Sequence, residues 1–105
     1  MFRPGAQEGG VSYFCPYSAQ VIGFLTYFPA VAATVEIIEL EWPKPRHPIV
    51  DVLDEDHQAA PMLVLAATTN VPGVRIKTVN GHHVVEDTLE ILRYLAATRS
   101  VPLPH

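Results

Sequence analysis

The segment Phe14-Cys15-Pro16-Tyr17-Ser18 holds the residue best suited to covalent chemistry. Cys15 is the only cysteine of the chain, so it cannot close an internal disulfide and reads as a free thiol. Pro16 suits the first turn of a helix, where the N–H it lacks would be unpaired anyway. A thiol just ahead of a helix sits at the positive end of the helix dipole, beside unpaired backbone N–H groups. Both favour the thiolate, the nucleophile of disulfide exchange. Ser18 could donate its hydroxyl to the sulfur, but it cannot resolve a mixed disulfide as a second thiol would. The competing reading of Cys15 is a small buried hydrophobe.

The elements that would position Cys15 follow from apolar spacing and from the breakers. Residues 1–10 form an irregular lead-in and 11–14 a short extended stretch. Val21, Ile22, Phe24, Leu25 and Phe28 recur at helical spacing until Pro29 stops the pattern. The β-branched run at 34–40 reads as a strand, partly buried because Glu36 and Glu39 break its alternation. Residues 42–48, with three prolines, form a stiff connector. A short helix at 49–53 and a polar loop at 54–60 follow. The apolar run 61–66 predicts a strand buried on both faces. Residues 74–79 predict a half-exposed strand, and Asn80-Gly81 a turn. Asp87 or Thr88 caps a last helix with Leu89, Ile91, Leu92 and Leu95 on one face. Residues 100–105 are a loose tail. Helices alternating with strands predict a single α/β domain over residues 1–105, with parallel pairing wherever a helix joins two strands.

Composition excludes several functions. Net charge is −4 and the basic residues are scattered, which argues against nucleic acid or an anionic membrane as partner. No apolar run approaches the length of a membrane span, and residues 1–10 lack the apolar centre of a signal peptide. A free thiol then implies a cytoplasmic protein. The five histidines show no metal-ligand spacing, and neighbours His82 and His83 would point to opposite faces of a strand. No metal is expected. Phosphate-loop, dinucleotide and serine-hydrolase patterns are missing.

Cys15-Pro16-Tyr17-Ser18 resembles the Cys-Pro-Tyr-Cys of dithiol glutaredoxins with the second cysteine replaced, a form that monothiol glutaredoxins use. Ala60-Pro61 followed by Met62-Leu63-Val64-Leu65 resembles the cis-proline that opens the third strand of thioredoxin-like folds. Gly81, Val84, Asp87-Thr88, Ile91 and Tyr94-Leu95 resemble the glycine turn, acidic residue and last helix of glutathione transferase N-terminal domains. Nearly the whole chain, through Trp42-Pro43-Lys44-Pro45-Arg46 and the 54–58 loop, also resembles an uncharacterised bacterial thioredoxin-like family of unknown function. Its members often carry a second cysteine where Ser18 stands and a longer first strand. The resemblance implies a thioredoxin-like α/β fold with a central mixed β-sheet flanked by helices, its first strand truncated to residues 1–3 or absent.

It also implies a site. Cys15 would attack, with Ser18 beside it. The Ala60 backbone would pair with the cysteinyl part of glutathione, with a cis bond at Ala60–Pro61, and Tyr17 and Pro61 would belong to the same glutathione-binding site. Thr88 and the helix N-terminus would take the γ-glutamyl carboxylate, and Asp87 the ammonium group. Arg46, His57 and Gln58 lie where a glycine carboxylate could be met. A cluster bridged between two subunits would lack the Cys-Gly-Phe-Ser loop of the proteins that build one. The leading expectation is a monothiol oxidoreductase or glutathione-binding protein, its partner glutathione or a protein thiol or disulfide, with a homodimer allowed. The alternative is a non-catalytic module that binds a protein or peptide around Pro61.

Overall fold

The computed structural model describes residues 1–105, the side chain of Ala6 excepted. The elements are β1 (Ala6–Glu8), β2 (Val11–Tyr13), α1 (Pro16–Tyr27), α2 (Pro29–Ala32), α3 (His47–Val50), β3 (Leu63–Leu65), β4 (Lys77–Val79), β5 (His82–Val85) and α4 (Thr88–Arg99). The class is mixed α/β. One antiparallel sheet is the β1–β2 hairpin, and the other is three-stranded in the order β3-β5-β4, with all its pairs antiparallel.

β5 is the middle strand, and its alternation fixes the layers. Val84 and Val85 are both 0% exposed, yet successive side chains of a strand point to opposite faces. Val85 packs with Val21 and Leu25 of α1, Val31 of α2, and Ile91 and Leu95 of α4. Val84 packs on the other side with Val79, Leu40, Ile49 and Leu53. α1 and α4 lie against each other and cover one face, while α3 and the turn after it cover the second.

Polar anchors close the edges. Glu90, 7% exposed, accepts from the Arg75 backbone N–H at 2.6 Å and from its Nη2 at 2.8 Å. The Arg75 guanidinium and N–H together hold the Glu90 carboxyl below its usual range. Tyr94 Oη accepts from Thr69 N–H at 3.2 Å and donates to the Ala67 carbonyl at 3.4 Å, which ties the stretch after β3 to α4. Asp87 is the α4 N-cap, with Oδ1 accepting from Glu90 N–H at 3.0 Å.

Several expectations are corrected. The lead-in is a hairpin, because Gly9 (φ 60°) and Gly10 (φ 79°) supply the two left-handed residues of a tight turn. Residues 34–40 form no regular strand. Only Leu40 pairs, in an isolated parallel bridge to Phe2, so residues 1–3 form no regular strand and no single central mixed sheet forms among the described residues. Glu36 and Glu39 interrupt the apolar alternation a two-faced strand needs. β3 was expected buried on both faces. It is instead a sheet edge, and Val64 is 41% exposed. The short helix begins at His47, two residues early, since Pro48 fits its first turn. Asn80 (φ 49°) and Gly81 make the β4–β5 turn as expected. Among the described residues no helix is long and apolar enough to cross a membrane.

Two outcomes follow. Leu95→Ala should lower the unfolding free energy by about 2–5 kcal/mol in urea titrations, the range for a buried leucine that leaves a cavity. Glu90 has a depressed folded-state pKa, so its contribution is present above the unfolded value, about 4.3 for glutamate, and is lost as pH falls through the folded one. Glu90→Gln should therefore flatten the acid limb of stability against pH, read by thermal melts at stepped pH.

Candidate functional site

Cys15 is the N-cap of α1, with φ −84° and ψ 114°, and Pro16 starts the helix. The extended backbone at Cys15 turns its side chain back over the first turn, where Ser18 N–H donates to Sγ at 3.4 Å. The thiol in turn points at the Ala60 carbonyl oxygen, 4.0 Å away. The Ala60–Pro61 bond is cis, as the sequence suggested, and Lys44–Pro45 is cis as well.

Ser18 does not hold its expected place. Its side chain is buried, at 4% exposed, and its Oγ accepts from Phe2 N–H at 3.2 Å. The group that meets the sulfur is the Ser18 backbone N–H. The hydroxyl instead pins the first residues of the chain to α1.

Cys15 is half-buried and lines a cavity of about 400 Å³ together with Phe2, Arg3, Gln7, Glu8, Tyr13, Phe14, Pro16, Tyr17, Trp42 and Ala60. The structure thus brings Cys15, Tyr17 and Ala60 to one site. Pro61 lines a neighbouring groove instead, and Asp87 and Thr88 lie at the α4 cap, outside the cavity. Sequence reasoning missed Phe2, Arg3, Tyr13, Phe14 and Trp42. The signal for Tyr13 was present in Gly9-Gly10, a two-residue hairpin turn between short extended runs. Phe2 and Trp42 are placed by long-range packing, for which single-chain spacing gives no cue.

The walls are braced by Arg46. Its guanidinium lies 4.6 Å from the Phe2 ring centroid and 4.8 Å from that of Trp42, and the two rings are 5.2 Å apart. Arg46 Nε donates to the Trp42 carbonyl at 2.9 Å and Nη1 to the Gln58 carbonyl at 2.8 Å, while Gln58 Oε1 accepts from Arg46 N–H. Burial lowers the Arg46 pKa from its usual value. Arg3, the cavity's own cation, is paired with Glu39 at 2.8 Å and Glu41 at 2.7 Å. Beyond this site, the His57 Nδ1 lies 2.6 Å from Asp54 Oδ1, and this bond holds the Asp54 carboxyl below its usual range. Among the described residues no group of three or more His, Cys, Asp or Glu is placed to hold a metal ion.

The arrangement offers an accessible thiol at a helix N-terminus, one backbone N–H on its sulfur, and an aromatic surround. Trp42 is the only tryptophan, so it reports on that surround. Arg46→Met should shift Trp42 emission to longer wavelength and raise its quenching by acrylamide, because the stacked guanidinium and its two carbonyl anchors are lost.

No curated protein and no solved structure matches the chain. One family model does match, described as a protein of unknown function (DUF3088), and it spans residues 1–103. The chain therefore belongs to the DUF3088 family.

Proposed function

We propose that the chain is a thioredoxin-like, single-thiol oxidoreductase in which Cys15 exchanges with a disulfide. The observation that carries the reading is the position of Cys15 at the α1 N-cap, half-buried in the cavity, with Ser18 N–H on its sulfur and Ala60 beside it. A helix N-terminus favours negative charge on the attacking sulfur and on the sulfur that departs. In the reaction the Cys15 thiolate attacks one sulfur of a disulfide. The new S–S bond joins Cys15 to half of the substrate, and the other half leaves as a thiolate. A second, external thiol then attacks the adduct and restores Cys15, since the chain has no other cysteine.

Glutathione is the small thiol this reading calls for. Tyr17 and Ala60 would flank its cysteinyl part, and the α4 N-terminus at Asp87 and Thr88 would take its γ-glutamyl end. A specific observation favours a second substrate class. Tyr13, Phe14, Tyr17 and Trp42 are all exposed around the thiol, and such an aromatic ring fits the apolar neighbours of a cysteine in a peptide. The non-catalytic module would instead bind around Pro61, which lines the neighbouring groove.

Mass spectrometry after oxidised glutathione tests the reading. The expected product is one glutathione adduct on the native chain and none on Cys15→Ser. The adduct should persist until a second thiol is added. Asp87→Ser, which keeps a capping oxygen but removes the carboxylate, should speed loss of the adduct to competing thiols about fivefold, the equivalent of about 1 kcal/mol for a half-exposed charge pair. No adduct under conditions that modify a control thiol would leave the binding module in its place.

A further inference from the structure

The cavity at Cys15 carries a charge pattern that disulfide exchange by itself does not require. Arg3 is the one cation among its lining residues, and its guanidinium is held between Glu39 at 2.8 Å and Glu41 at 2.7 Å. Arg46 stacks on Phe2 and Trp42 and gives its Nε and Nη1 to carbonyl oxygens. Neither guanidinium is free to meet an incoming carboxylate. Glu8 also lines the cavity, is exposed, and has no ion-pair partner among the described residues.

The aromatic rim adds to this pattern. Tyr13, Phe14 and Tyr17 line the same cavity and are exposed. None of the three has a cation over its ring among the described residues, whereas Phe2 and Trp42 already carry Arg46. Open ring faces beside an unpaired carboxylate are the components of a cation site, the ring through its quadrupole and the carboxylate through its charge. Both would act on a group that enters next to the sulfur. An anion there would meet Glu8 with no free cation to offset it.

We infer that the Cys15 cavity selects a polypeptide disulfide whose cysteine has a lysine or arginine beside it, with the cation seated among Glu8, Tyr13, Phe14 and Tyr17. The inference rests on the reading of Cys15 as an exchanging thiol. The Cys15 thiolate attacks the sulfur of that cysteine, the substrate S–S bond breaks, and the other half leaves as a thiolate with the bonding pair. A polypeptide fits better than a small amine disulfide, because the exposed rings and Trp42 surround the site with more apolar surface than a short alkyl chain covers. Oxidised glutathione, an anion, enters more slowly on the same ground. A second copy of this chain is not the substrate, since its one cysteine stands between Phe14 and Pro16 with no lysine or arginine adjacent.

Two sets of probes on the full chain test this. The first is a pair of methanethiosulfonates, one carrying a trimethylammonium group and one a sulfonate, which label an accessible thiol whatever its natural chemistry. Each rate is divided by that of free mercaptoethanol, to remove the reagent's own reactivity. The expected ratio of cation to anion is about fivefold. It should fall by about half in Glu8→Gln and in Phe14→Leu, both at exposed positions, while circular dichroism shows the fold kept. The second set is the disulfide of acetyl-Lys-Cys-Ala-amide and its Gln and Glu counterparts, with exchange at Cys15 read by mass spectrometry. Exchange should fall in that order, with cystamine slower than the lysine peptide. A normalised ratio of one or less, or a ratio that neither variant moves, would overturn the inference. So would equal exchange by the three peptides, and cystamine matching the lysine peptide would assign the site to a small amine disulfide instead. Cation preference with no exchange by any peptide would remove the oxidoreductase reading and leave the cation site supported.

Discussion

Two adjacent valines that must both be kept from water, Val84 and Val85 in β5, set the constraint on which the layers depend. A strand cannot hide both on one side, so the chain has to supply cover twice. Helices α1 and α4 supply it on the Val85 face, and α3 with Leu40 and Leu53 on the Val84 face. That requirement carries the 42–50 segment across the molecule, which brings Trp42 and Arg46 to Phe2. It also seats α1 with its N-terminus beside Ala60. The position of Cys15 is therefore a consequence of how the core is closed, and the cavity forms where α1, the hairpin, the first residues and the 42–46 connector meet.

The site is built largely from backbone geometry. Cys15 caps α1 with its sulfur where serine or aspartate would commonly serve, so a structural role and a chemical one fall on the same atom. The Ser18 hydroxyl accepts from Phe2 N–H and so anchors the first residues of the chain. Arg46 spends its guanidinium on two carbonyls and two rings. These side chains hold walls, and the thiol is the one sulfur nucleophile in the cavity.

Much of this was legible from local pattern. Helical spacing gave α1 and α4, Pro16 and Pro29 bounded α1, Asn80-Gly81 marked its turn, and Asp87 its cap. Cys15, Tyr17 and Ala60 came together as the motifs suggested. What local pattern could not give was decided by distant packing. The 61–66 run is apolar enough for a central strand, but whether it becomes one depends on what lies beside it, and here that side is a groove. The 34–40 run has β-branched residues and carboxylates in conflict, and it resolved as an extended segment with one bridge. Asp87 and Thr88 cap α4 and do not line the cavity, which depends on tertiary packing to which no short motif is sensitive.

The most direct test of the claim that the fold activates Cys15 compares its alkylation rate by iodoacetamide, a neutral reagent, in the native chain and in the same chain unfolded by urea at one neutral pH. The reagent's size and charge are constant, so the ratio reports what the α1 N-terminus and the Ser18 N–H do to the sulfur, set against the cost of half-burial. The account predicts faster alkylation in the native state, at least severalfold. Slower alkylation in the native state would show that Cys15 is a shielded packing residue and would contradict the account.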